Sequence, residues 1–296
     1  MDIWDSSSQL PSLPLRLTWA ATYVGFILVN VASSLGWLGA TNKEISDKFE
    51  VPLTPAGWAF SIWGVIFLLE GVGTVYQLIS AGYSPDGWKE RFVNSVGLSW
   101  VVSWLLASGW QFAFAAQTPG GMWLALLLVL GAFLAMARGL VHMYRLRHQY
   151  GSAPDHLLYV AYFLPTSINA AWLSVATAVQ LLIALHGSQR QDDLQVAAVL
   201  LAALVAAGGG YLVLQHRDTA YGLTLIWAFV AVYEKTGSLM VRNTAVAALA
   251  AVGAVTLLSV LRRRPVPGGG IPLQSTNSAD IEARQPLREE PSSGRD

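Results

Sequence analysis

Apolar stretches of about 19–25 residues, separated by short charged clusters, recur along almost the whole chain. A helix of about 20 apolar residues crosses a hydrocarbon core of about 30 Å. Within that core no water satisfies backbone groups, so a spanning segment must close its own hydrogen bonds as a helix. The pattern dictates an all-α, polytopic membrane bundle with the lipid bilayer as its first partner. Charged residues make up only 12% of the 296 residues, against about 25% in soluble domains. The formal net charge is zero, which gives no basis for a nucleic-acid partner. No cysteine is present, which excludes disulfides, thiolate catalysis and cysteine-ligated zinc. The opening "MDIWDSSSQLPSLPLRLTW" is acidic and polar before Arg16. A signal peptide starts basic, so the first apolar segment reads as a retained span.

Eight spans can be drawn, at about 17–39, 55–79, 93–116, 120–144, 157–186, 194–214, 219–233 and 241–261. The seventh is short, and Pro165 predicts a kink in the fifth. With eight crossings both termini share one side. Arg16, Lys89, Arg91, Arg138, Arg145, Arg147, Arg217, Arg262, Arg263 and Arg264 lie on it, against Lys43, Lys48, Arg190, Lys235 and Arg242 opposite. By the positive-inside rule the termini are then cytoplasmic. Which membrane holds the chain is not encoded. From Pro265 onward Pro, Gly, Ser and charge dominate without an apolar period, the composition of a disordered tail.

The stretch "TPAGWAFSIWGVIFLLEG" (residues 54–71) opens the second span. Thr54 suits an N-cap and Pro55 the first helical position, so a sharp helix start is expected there. Trp58 would then sit about one turn inside, as a headgroup-level anchor or a pocket wall. Phe60, Trp63, Phe67, Glu70 and Thr74 follow a 3-4-3-4 spacing and share one helix face. A carboxylate facing lipid costs at least about 2.5 kcal/mol, so this face should turn inward. Trp100, Ser103, Ala107, Trp110 and Phe114 form a similar stripe, with Trp104 beside Trp100. Asn169, Trp172, Ala176 and Gln180 form a third. One such stripe is ordinary packing. Three together, each pairing indole with small or polar neighbours, predict an interior pocket for a flat, apolar ligand.

These segments resemble the TspO/MBR family of tryptophan-rich sensory proteins, which includes the translocator or peripheral benzodiazepine receptor. Its second-span pattern is roughly P-x-x-W-x-F-x-x-x-W-x-x-x-Y-x-x-x-G. Pro55, Trp58, Phe60 and Gly71 match it, Trp63 falls one position early, and Phe67 stands where tyrosine is usual. The preceding "GATNKEISDKFEVPL" is similar to the loop of a longer bacterial branch. The third span resembles the family's L-N-x-x-W segment, with Trp110 matching and Ala107 replacing the asparagine. In "AAWLSVATAVQ", Ala171, Trp172 and Ala176 match, while Val175 replaces phenylalanine and Gln180 the final asparagine.

The resemblance implies a five-helix core over residues 17–187, after a polar segment over 1–16. A three-helix extension follows over 188–264, then the tail over 265–296. It also implies a hydrophobic pocket closed by the first loop, taking a tetrapyrrole (porphyrin or heme) or a sterol-like lipid, with a sensory or transport role. No cofactor is required, although a bound porphyrin or heme fits the resemblance; a homodimer is left open. The expected ligand-binding residues are Trp58, Phe60, Trp63, Phe67, Trp104, Trp110, Asn169, Trp172 and Gln180.

Glu70 and Arg138 lie at similar depths on helices running the same way, which predicts an intramembrane ion pair or two snorkelling side chains. The functional alternative is a proton-coupled transporter using Glu70. The five histidines lie near span ends, none paired three or four residues apart, so no metal site is expected. No phosphate loop, H-E-x-x-H or G-x-S-x-G motif occurs. The chain reads as a binding protein rather than an enzyme, with porphyrin degradation as the enzymatic alternative.

Overall fold

The computed structural model describes residues 13–79, 83, 88–150, 156–186 and 191–262. The expected disordered tail lies outside the described residues. The elements are α1 (Leu13–Ser34), a short α2 (Asn42–Lys48), a 3₁₀ turn (Gly57–Ser61), α3 (Ile62–Leu78), α4 (Trp88–Ala115) and α5 (Pro119–Tyr150). Then come α6 (His156–Leu158), a π turn (Tyr159–Phe163), α7 (Leu164–Leu185), α8 (Gln191–His216), α9 (Thr219–Lys235) and α10 (Leu239–Leu261). Each of the eight expected spans contains a helix. Seven are long and apolar enough to cross a membrane by length and composition. The eighth, α9, has 17 residues and rises about 26 Å, a little short of the core.

Two boundaries differ from expectation for identifiable reasons, and the fifth span is irregular next to the expected proline. Helix α1 stops at Ser34 because Gly36 takes a left-handed φ of 74°. Trp37 N–H then donates to Ala32 O at 2.9 Å and Gly36 N–H to Ser33 O at 3.1 Å, which closes the helix as a Schellman motif. The second span does not start at Pro55. Thr54 Oγ1 accepts from Val51 N–H at 2.9 Å and so closes a loop turn instead of capping a helix. Ala56 N–H is spent on Ala231 O of α9 at 3.0 Å, and regular α-helix begins only at Ile62. In the fifth span the irregularity is the π turn immediately before Pro165. Proline has no N–H to offer the carbonyl four residues back, so Ala161 O is left without that bond. It lies against Gly73 of α3, where a side chain would collide with it and with Trp100.

Helix α5 packs along α4 and α7, and α1 packs on α4 and α3. The last three helices are mutually packed and meet the rest chiefly through α7, which touches both α8 and α9. Helix α8 runs unbroken through the glycine triplet at 208–210. Gly209 is the close-packed member: a methyl there would collide with Leu225 of α9. Asn30 and Gln111 tie α1 to α4, with Gln111 Nε2 donating to Asn30 Oδ1 at 2.7 Å.

Candidate functional site

The aromatic stripes divide into two groups, with Trp58 outside both. Phe60, Trp63, Trp110, Trp172 and Gln180 line one apolar cavity of about 70 Å³. Phe60 and Trp63 each meet Trp172 edge to face, with centroids 6.0 and 6.3 Å apart. Trp110 stacks on Phe114 at 4.7 Å. Small residues leave the room: Ala107 and Ala176 lie in the wall where larger side chains would fill it. Ligand sites are usually about 300–1,000 Å³, so the cavity as it stands is too small for anything as large as a tetrapyrrole.

Gln180, a buried polar side chain of the wall, is already committed. Gln180 Oε1 accepts from Trp110 Nε1 at 3.1 Å, and its Nε2 donates to Met122 O at 3.2 Å. Gln180 therefore fixes the plane of the Trp110 indole.

The second group lies beyond the cavity. Trp104 and Asn169 do not line it. Trp104 Nε1 donates to Glu70 Oε2 at 2.8 Å and Asn169 Nδ2 to Glu70 Oε1 at 2.7 Å. Glu70 has no solvent exposure, and Trp104 and Asn169 are buried. The inward orientation of the α3 stripe follows from these contacts. Glu70 and Arg138 are not paired: both Glu70 oxygens are occupied by indole and amide donors, while Arg138 is exposed and donates to Ser99 Oγ at 3.3 Å. Phe67 bridges the two groups, stacking on Trp63 at 5.6 Å and meeting Phe26 of α1 at 5.2 Å.

Trp58 belongs to neither group. The 3₁₀ turn carries it outward, 40% exposed. Its indole meets Trp227 edge to face at 4.7 Å and donates to Glu234 Oε2 at 2.8 Å. The expected helix start at Pro55 would have turned Trp58 differently; the 3₁₀ turn aims it at α9.

The side of the cavity nearest the first loop is formed by α2, through Asn42 and Ser46. Sequence reasoning missed both, though a signal was present. Thr41 and Glu44 have the S/T-x-x-E spacing of a capping box, and Ile45 is apolar. The box forms: Glu44 N–H donates to Thr41 Oγ1, and Thr41 N–H to Glu44 Oε2 at 2.7 Å. These bonds hold the exposed Glu44 carboxyl below its ordinary value, and Lys43 does the same for Asp47 from 2.7 Å away. Ile45 is buried beneath.

A second buried carboxylate sits where α5, α7 and α9 meet. Asp218 caps α9 by accepting from Tyr221 N–H at 3.0 Å. It also accepts from Tyr144 Oη at 2.6 Å and from Ser167 Oγ at 2.7 Å.

No curated protein and no solved structure matches the chain. A family model described as TSPO-like protein matches residues 16–261, nearly the whole described bundle, extension helices included. With its multi-pass apolar helices and aromatic-rich interior, the chain belongs to the TSPO-like protein family.

Proposed function

We propose that this integral membrane protein binds a flat, hydrophobic small molecule in the cavity between α3, α4 and α7, and serves as its sensor or carrier. One observation carries the reading: three indoles and two phenyl rings from four separate elements converge on a single apolar space roofed by α2. Flat apolar ligands gain affinity from burial and from edge or face contact with such rings. With Gln180 already bonded inside the wall, shape and apolar area would select the ligand. A tetrapyrrole is the favoured class, with a sterol-like lipid second. Trp58, Phe67, Trp104 and Asn169 then act around the site, not at the ligand.

The test is tryptophan fluorescence of the purified full chain titrated with protoporphyrin IX, beside Trp172→Phe. Saturable micromolar quenching, weakened at least several-fold by the substitution, is expected. Binding indifferent to Trp172 would leave the rings as packing. The basic-residue bias further suggests that both termini face the cytoplasm.

Transport coupled to a proton is the second reading. Its support is Glu70, a fully buried carboxylate bonded to neutral donors and not to a cation among the described residues. Intramembrane carboxylates in such settings mark proton or ion paths. Glu70→Gln would then abolish proton-coupled uptake while leaving static binding intact. As an enzyme, the protein would degrade bound porphyrin with tryptophan assistance. Light-driven porphyrin loss that persists in Trp110→Phe and Trp172→Phe would exclude that route.

A further inference from the structure

In addition to α7, where Phe60 meets Trp172 edge to face, the segment between the roof helix α2 and the start of α3 has a support outside the five helices that precede the extension. That support is the C-terminal half of α9. Trp227, Ala231, Glu234 and Lys235 recur at helical spacing and lie along one face of that helix. Each has a partner in residues 47–59. Trp227 Nε1 donates to Ala59 O at 3.0 Å, and Ala231 O accepts from Ala56 N–H at 3.0 Å. Glu234 accepts from the Trp58 indole at 2.8 Å. Lys235 stands 3.5 Å from both Asp47 and Glu50. Asp47 belongs to α2 itself, whose Asn42 and Ser46 line the cavity.

We propose that α9 is the fastening of the pocket's lid: access to the cavity opens when residues 47–59 release from Trp227, Glu234 and Lys235. These three are positioning residues, which act on the cavity through α2 and the 3₁₀ turn. The name "lid" rests on the ligand-binding reading above; the fastening itself does not. The contacts to α9 are of a releasable kind, while Val51, Leu53 and Ala59 of the same segment are buried in the core. Two of the contacts are exposed charge pairs and one uses a partly exposed indole, which water can replace at small cost. The two backbone-acceptor bonds give register, so the segment returns to one place on reclosing.

The chain has no cysteine, so Ser46→Cys places a single thiol at a buried position in the cavity wall. Its rate of maleimide labelling in the detergent-solubilised full chain reports opening without any ligand. In the background Trp58→Phe with Lys235→Met, which removes the indole donor and the shared cation, labelling is expected to accelerate at least fivefold. Ala202→Cys, buried on α8 away from the joint, should label at its original rate in the same background. An unchanged rate at Ser46→Cys overturns the proposal. Equal acceleration at both thiols overturns it too, because the bundle as a whole would then have loosened. If Ser46→Cys itself misfolds, Asn42→Cys on the same wall gives the same comparison. Failure of the ligand reading looks different: protoporphyrin IX does not bind, yet the labelling rates still separate.

Discussion

Trp104 and Asn169 approach Glu70 from two different helices and occupy both carboxylate oxygens, at 2.8 and 2.7 Å. The acid joins α3, α4 and α7 in the bundle interior. Glu70→Leu leaves two buried donors unbonded, at about 1–3 kcal/mol each. A loss of about 2–6 kcal/mol is expected in thermal unfolding in detergent. Glu70→Gln should cost under about 1.5 kcal/mol, because the Asn169 amide can turn and accept from the new amide. Equal losses in the two variants would mean that the carboxylate charge, and not hydrogen bonding, holds the junction.

At the other buried acid, Asp218→Ala removes a helix cap and two hydroxyl bonds at once. The expected destabilisation is about 2–4 kcal/mol. Tyr144→Phe should lose about 1–3 kcal/mol, the cost of leaving one buried hydrogen-bond partner unsatisfied. Denaturant titration of the two variants in the same detergent checks the order.

Gly73 and Gly64 on α3 form a matched pair. A methyl at Gly73 meets Ala161 O and Trp100, whereas nothing lies within 4 Å of one at Gly64. Gly73→Ala should destabilise by about 1–3 kcal/mol through overpacking. Gly64→Ala should stabilise by up to about 1 kcal/mol through helix propensity. Thermal shifts of opposite sign are the expected result.

Acid should loosen the roof of the cavity. Glu44 and Asp47 have carboxyl groups lowered by Thr41 and Lys43 respectively. A lowered folded-state value means that the stabilisation is complete above the unfolded value, about 4, and is lost as pH falls through the lowered one. Protection of residues 42–48 in hydrogen exchange, corrected for intrinsic rates, should be constant from pH 7 to about 5 and fall below about 4. Glu44→Gln should remove part of that fall.

The helices were legible because bilayer thickness forces one long apolar run per crossing, whatever the packing between them. The inward face of α3 was legible for the same reason: Glu70 could not face lipid. The partners of that face were not. A period of 3.6 orders residues around one helix, but it does not say which neighbour each meets. Trp104 therefore read as a pocket wall although it bonds Glu70. Arg138 read as a partner for Glu70 because depth was the only coordinate available. Trp58 was misplaced by a local rule, since Thr-Pro normally starts a helix and here the N–H of Ala56 is claimed by a residue 175 positions later. Asn42 and Ser46 were overlooked although their capping box was readable, because a seven-residue helix is too short to stand out from a loop.

The bond from Ala56 N–H to Ala231 O also has a bearing on synthesis. A ribosome makes the chain from its N-terminus, so residues 47–59 and the first spans are made well before residue 231 exists. Until then Ala56 N–H and the Ala59 carbonyl lack their mature partners. The entrance to the cavity is thus among the last parts of the molecule to acquire its shape, although the residues that form it are among the first to be made. Nascent chains halted after the fifth span should expose Trp58 and the segment around it to lipid or chaperone, and should mature only when α9 has followed.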